Sequence, residues 1–312
     1  MMDIDVSKFQ FNPAEGKTIL EPEGKGFGHW IGAAHAYYDK ELKKFFLYVR
    51  VRNPRPVKGK VTPFDTHRGY KCQILESSNG DDYNVIWKMK KSQINAKSME
   101  GAALTKIEGK YHLILSFETR GRGARWNIKR AIADHPSKFD PKSFKNIDWD
   151  LPALIGFSIK DPNIFYFEGK YYLSIDFFRF WKKPWGSTGL LVSNDGYSYK
   201  WLGDIIENPK RCSWTTFMVR ITSIIREREH YIGFLDAAKK GVEICEERSG
   251  LVAGKSLIKM NIVSCNNPLY HSEYGKGSCR YFFALKYEKE TWLFYEYTEK
   301  QGEHVLKLYK IK

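Results

Sequence analysis

The sequence predicts an all-β protein, a five-bladed β-propeller of four-stranded antiparallel blades around an axial pocket. Three observations carry that prediction. A strand–turn–strand unit, clearest in DPNIFYFEGKYYLSIDF from Asp161 to Phe177, recurs four more times in weaker form. The aromatic that opens each second strand falls at Phe45, Tyr111, Tyr171, Tyr231 and Trp292, in steps of 66, 60, 60 and 61 residues. A fixed period of this length with hairpin chemistry in each copy is the mark of a radially repeated β array. Finally, no long window carries the 3.6-residue periodicity of an amphipathic helix.

The elements follow in order as one domain over residues 1–312. Residues 1–27 precede the first blade and are placed to pair with the last one, closing the ring and covering an open sheet edge. Blade one starts near residue 28 with GHWIGAAHAYYD, and its second strand ends at Arg50. The irregular stretch that follows accounts for the longer first step, and it offers Arg52, Arg55, His67 and Arg68 as loop residues for ligand contact. The strand GYKCQILESS then stops at Asn79-Gly80, a favoured turn dipeptide. Blade two starts near 97 and blade three near 157, its third strand stopping at Asn194-Asp195-Gly196. Blade four starts near 211, with RCSWTTFMVRI as its inner strand, and blade five near 276.

Composition narrows the function classes. The chain is 42% hydrophobic and 15% aromatic, enough to fill a core. It contains no apolar run long enough for a transmembrane helix, and MMDIDVSKFQ does not read as a signal peptide. Five cysteines without a C-x-x-C spacing are expected to be reduced thiols, in a cytoplasmic protein, and no metal or cofactor is expected. No Gly-rich phosphate loop or dinucleotide fingerprint occurs. The formal charge of +15 comes mostly from scattered lysines and arginines without interleaved stacking aromatics, which reads as a solvated surface and not as a membrane or nucleic-acid face. The oligomeric state stays open.

In a propeller, residues at one offset in each inner strand face the same end of the channel. Counting back from the aromatic marks gives Ala34-His35, Glu100 and Asp161 for blades one to three. Thr215 to Phe217 and Arg280 are the nearest matches in blades four and five, whose turns are longer. Two carboxylates brought together from adjacent blades suit glycosidic-bond cleavage, in which one protonates the leaving oxygen and the other activates water or attacks. Each residue also has a plainer reading. Asp161 before Pro162 could serve only a turn, Glu100 only a strand end, and His35 only a satisfied channel position. Asp176 and Asp236 recur at one place on second strands, fit either to bind sugar hydroxyls or to hold the strand end. Trp30, Trp126, Trp181, Trp185 and Trp214 offer faces for pyranose rings or for packing between blades.

DPNIFYFEGKYYLSID and SMEGAALTKIEGKYHLILSFE resemble the blade signatures of the five-bladed propeller glycosidases, the group of glycoside hydrolase families 32, 43, 62 and 68 with the related family 130 phosphorylases. The resemblance implies that Glu100 is the general acid and that Asp161 is a second active-site carboxylate, acting as base or tuning the acid. The blade-one place where family 43 carries an aspartate reads Ala33-Ala34-His35 here. Two further readings therefore stand beside hydrolysis of a saccharide. One is phosphorolysis, with Arg50, Arg68 and Arg280 holding inorganic phosphate. The other is a carbohydrate-binding propeller without turnover.

Overall fold

A computed structural model describes residues 6–54, 67–121, 125–153, 155, 158–178, 186–206, 212–243 and 245–312. The chain is almost entirely strand. After β1 (Lys17–Leu20), the first unit comprises β2 (Trp30–Asp39), β3 (Lys44–Asn53), β4 (His67–Ser77) and β5 (Asn84–Lys90). The second has β6 (Ser98–Ile107), β7 (Lys110–Glu118), β8 (Trp126–Ala133) and β9 (Lys145–Asn146). After β10 (Asp148–Asp150), the third has β11 (Ile159–Phe167), β12 (Lys170–Phe178), β13 (Gly186–Ser193) and β14 (Ser198–Asp204). The fourth has β15 (Met218–Glu227), β16 (His230–Ala238), β17 (Arg248–Gly254) and β18 (Asn261–Ile262). The fifth has β19 (Cys279–Tyr287), β20 (Glu290–Thr298) and β21 (His304–Ile311). β1 pairs antiparallel with β21, Lys17 opposite Leu308, and supplies the fourth strand of that last unit.

Two-residue turns set the hairpins. Glu108-Gly109 and Glu168-Gly169 take positive φ at both positions (48° and 77°, 52° and 77°), the geometry that matches strand twist in a tight hairpin. Each unit is then apolar on both faces, because each is sandwiched between two others. On β7, Tyr111, Leu113, Leu115 and Phe117 join a cluster shared with the first unit, while Ile114 joins one shared with the third. β20 divides likewise, with Leu293, Tyr295 and Tyr297 toward the fourth unit and Trp292 and Phe294 toward the first. Together with the cluster between units three and four, every junction of the ring has its own core. The inner strands close the circle, since β2 packs on β6, β6 on β11, β11 on β15, β15 on β19 and β19 on β2.

The N-terminal segment is tied down over the last junction. Phe9 is fully buried, its carbonyl accepts a bond from the Tyr270 hydroxyl, and Phe11 stacks on Tyr309 at 4.0 Å between ring centres.

Two expectations are corrected. The inner strand of unit four begins at Met218, and residues 212–217 before it are turn and bend, so RCSWTTFMVRI is not one strand. The cysteines are not all reduced, because Cys212 and Cys265 form a disulfide, while Cys72, Cys245 and Cys279 are free and buried. The turn entering β15 and the loop leaving β18 meet in space, a proximity that a sequence separation of 53 conceals. Arg55, Trp181 and Trp185 lie outside the described residues, and so does the side chain of His67.

Truncating Phe294, fully buried at the junction of the fifth and first units, is expected to cost about 3–5 kcal/mol through lost transfer energy and a residual cavity. Urea denaturation of Phe294→Ala against wild type measures it.

Candidate functional site

The inner strands converge on the axis, and four of them share an irregularity there. The register of β2, β6, β11 and β19 shifts between Gly32 and His35, Met99 and Ala102, Lys160 and Asn163, and Arg280 and Phe283. β15 shifts between Ile221 and Ser223. At this bulge Ala33, Asp161 and Tyr281 adopt left-handed φ values of 50°, 49° and 53°. Side chains rarely take this conformation outside glycine, and it costs on the order of 1–3 kcal/mol unless the surroundings impose it. The bulge turns side chains onto the axis. Ala33, His35, Gly101, Asp161, Pro162, Thr222 and Tyr281 line a narrow axial space of ≈ 20 Å³.

Beside it opens a larger cavity of ≈ 220 Å³, lined by Arg52, Arg68, Glu100, Trp126, Lys160, Phe178, Gly186, Phe217, Met218, Arg220, Cys245, Glu247, Arg280 and Tyr281. Its charges follow the repeat. Lys160, Arg220 and Arg280 immediately precede or enter the bulge in units three, four and five, spaced 60 residues apart. In register opposite them stand Asp176, Asp236 and Glu296, also 60 apart. Arg220 binds Asp236 at 2.7 Å within its own unit and Asp161 of unit three at 3.1 Å. Arg280 binds Glu296 at 3.0 Å and also pairs with Glu247. Unit one inverts the pattern, for Arg50 occupies the second-strand place and binds Glu296 at 2.6 Å and Glu100 at 3.1 Å. Gly32 opposite Arg50 makes this possible, since a Cβ there would stand 2.0 Å from Glu296 Cγ.

These contacts set the protonation states. For Glu100, burial opposes ionisation, but Arg52 and Arg50 outweigh it and hold the carboxyl far below its usual range. Arg52 pairs with Glu100 directly. Asp161 is likewise kept ionised against burial, by Lys160 at 2.9 Å and Arg220. It also accepts from the Gly101 amide at 3.1 Å and the Tyr281 hydroxyl at 3.2 Å. The amide contact accounts for the glycine after Glu100, because a Cβ at 101 would come within 3.0 Å of the carboxylate. Glu247 is lowered to about 2, Arg280 and Arg220 outweighing its burial. Asp176 goes the other way. Burial, reinforced by the Asp161 charge, raises it well above the ordinary carboxylate range, and it accepts a bond from the Thr188 hydroxyl at 2.7 Å.

The residues singled out from sequence therefore fall in different places. Glu100, Asp161, Arg50, Asp176, Asp236 and Arg280 come together in this axial lattice. Arg68 stands at the cavity wall, paired with Glu118, with its guanidinium 5.7 Å from the centre of the Trp126 ring. His35 is buried in the narrow space, where Nδ1 accepts from the Leu104 amide at 3.3 Å and burial lowers it to about 3. Thr215 is buried outside the cavity lining, its hydroxyl bonded to the Cys212 carbonyl. The late start of β15 puts Arg220 to Thr222, not Thr215, on the axis. Among the described tryptophans named from sequence, Trp126 lines the cavity. Trp30 is buried beneath Arg52 and Arg280, and Trp214 bonds to the Ser264 carbonyl. Arg220, Lys160, Tyr281 and Glu247 were missed. The 60-residue spacing of Lys160, Arg220 and Arg280 would have found the first two, whereas nothing local marks Glu247.

Two outcomes follow. Gly32→Ala is expected to cost about 1–3 kcal/mol by forcing Glu296 off Arg50, read by urea denaturation. Stability is also expected to fall in two stages on acidification. Below the usual 6.5, unfolded His35 takes up a proton that the folded site refuses until about pH 3. Below the usual 4.5, unfolded Glu247 does the same until about pH 2, and Glu100 and Glu296 act alongside it. Asp176, raised in the folded state, works in the opposite direction. Denaturation at pH 7, 5.5 and 3.5 checks the order, and His35→Gln is expected to shrink the first stage.

No family model matches the chain, and no curated protein matches it. Solved structures do. An endo-arabinase from Bacteroides thetaiotaomicron superposes with a TM-score of 0.64 at 13% identity, covering 95% of this chain and 98% of that one. A thermostable family-43 glycoside hydrolase gives 0.63 at 13%, covering 94% and 92%. A GH32 β-fructofuranosidase of Bombyx mori gives 0.63 at 12%, covering 97% of this chain and 64% of that one. The chain thus shares the fold of these glycoside hydrolases over nearly its whole length.

Proposed function

We propose that this protein cleaves glycosidic bonds in a saccharide held in the larger cavity, with Asp161, from the narrow axial space beside it, and Asp176, behind its wall, dividing the carboxylate work. The observation that carries the reading is the opposed tuning of these two groups. Lys160 and Arg220 lower the pKa of Asp161 against its burial, while burial beside that charge raises the pKa of Asp176 well above the ordinary carboxylate range. A pair of carboxyls driven apart in this way supplies an acid and a base at one pH. Asp176 sits on β12 two residues before Phe178, so both point to the same side of the strand, and Phe178 lines the cavity. Trp126, Phe178, Phe217 and Tyr281 offer apolar faces to a sugar ring. Asp176 donates the proton to the leaving oxygen, and Asp161 acts on water. Glu100, ionised between Arg50 and Arg52, fits the role of positioning those arginines better than that of proton donor. The fold shared with glycoside hydrolases supports the choice of substrate class.

The cationic lining favours a second reading, phosphorolysis, in which inorganic phosphate replaces water as nucleophile and Arg68 and Arg280 hold it. Turnover of a panel of aryl glycosides and short oligosaccharides, with and without phosphate, separates the two. Asp176→Asn and Asp161→Asn are each expected to lower turnover by about 100-fold or more, the usual worth of a positioned acid or base. Glu100→Gln is expected to lose less than Asp176→Asn. The reverse order would return the acid role to Glu100. Saccharide binding without turnover across the panel would make the chain a binding propeller.

A further inference from the structure

The arginines of the axial lattice carry more donors than their carboxylate partners absorb. Arg52 Nε and Nη1 and Arg280 Nη2 are buried and make no hydrogen bond within the described protein, and Arg220 Nε makes none either, facing Asp176 at 3.7 Å. All three residues line the larger cavity and are 4% exposed or less. A buried charged donor without an acceptor is a standing penalty in a folded protein, and such groups are rare unless something else meets them. Five of the side chains lining this cavity are cationic and two are carboxylates. Both of those carboxylates, Glu100 and Glu247, are already engaged by arginine. The spare donors are therefore suited to oxygens that no lining residue supplies. The guanidinium fork favours planar or tetrahedral oxyanions, which accept two bonds at once, over single hydroxyls.

We propose that the larger cavity binds an oxyanion, either the carboxylate of a uronic-acid sugar or a phosphate group, through the free donors of Arg52 and Arg280, with Arg220 beside them. This rests on the reading of the cavity as a saccharide site and specifies which saccharides it selects. A uronate places its carboxylate against the arginines while its ring lies on Trp126, whose face is already flanked by Arg68 and Lys160. A neutral sugar leaves the donors unmet and binds more weakly.

Isothermal titration with glucuronate, glucose and inorganic phosphate tests the proposal on the full chain. Glucuronate is expected to bind at least 10-fold more tightly than glucose, with affinity falling as salt is raised. Arg52→Gln is expected to remove that preference, bringing glucuronate down to the affinity of glucose. Because Arg52 partners Glu100, circular dichroism monitors folding, and Arg68→Gln at the half-exposed rim gives a second, milder variant expected to weaken glucuronate a few-fold. Tight binding of phosphate with no preference for glucuronate over glucose supports the oxyanion site and names phosphate as its source. Glucose bound as well as glucuronate, with no phosphate binding, overturns the inference and leaves the saccharide reading intact. No binding of any of the three, joined to no turnover on the glycoside panel, defeats both.

Discussion

The structure depends on a buried lattice of ion pairs at the point where the inner strands meet. Taking a guanidinium and a carboxylate out of water costs several kcal/mol each, and the attraction between them repays this only with good geometry. Here Arg50, Arg220 and Arg280 each have more than one carboxylate partner, and the partners come from different units. Arg220 joins units three and four, Arg280 binds within unit five and to Glu247 of unit four, and Arg50 joins unit one to units two and five. The apolar clusters between units supply most of the driving force for closure, but they are sequence-tolerant. The lattice makes closure specific, because one missing member leaves a charge buried without its counterion, a defect worth about 3–5 kcal/mol.

The same lattice ties folding to chemistry. The positive φ at Ala33, Asp161 and Tyr281 is a local cost met by neighbours on both sides. It brings the Asp161 carboxylate within reach of Lys160, Arg220, the Gly101 amide and the Tyr281 hydroxyl at once. A carboxylate so surrounded is held rigidly, which is what the proposed preorganised site requires. Asp176 shares Arg220 only at 3.7 Å and has one hydroxyl donor, so the same axis contains a carboxyl whose pKa is raised instead of lowered.

Much of the architecture was legible because it repeats. The Glu-Gly turns at 108–109 and 168–169 and the period of the aromatics mark the hairpins, and the double-sided apolar pattern follows from sandwiching. Glu100, Asp161 and Arg280 were found by counting from those marks. In unit four, where the segment before β15 is turn and not strand, the count selected Thr215 to Phe217, of which Phe217 lines the cavity, and passed over Arg220. Local sequence carries little information about such a boundary, since Trp214 to Phe217 reads as a good strand until the Cys212–Cys265 bond and the Met218 register are seen. Protonation was not legible at all. Glu100 and Asp176 are both buried acids, and what separates them is the two arginines that face the first and the Asp161 charge beside the second.

The seam of the ring has a kinetic consequence. Lys17 of β1 lies opposite Leu308 of β21, and Trp30 of β2 bridges to His304. These pairings span nearly the whole chain, so they bear some of the largest loop-closure entropies here and are expected to mature late. Until β21 is in place, β1 is a strand without a sheet and the outer edge of β20 is open. Emergence from the ribosome therefore leaves four units able to collapse locally while the axis, with all its charges, stays wet. The site is expected to become dry, and the surroundings that drive its carboxyls' pKa values apart to form, only late in assembly.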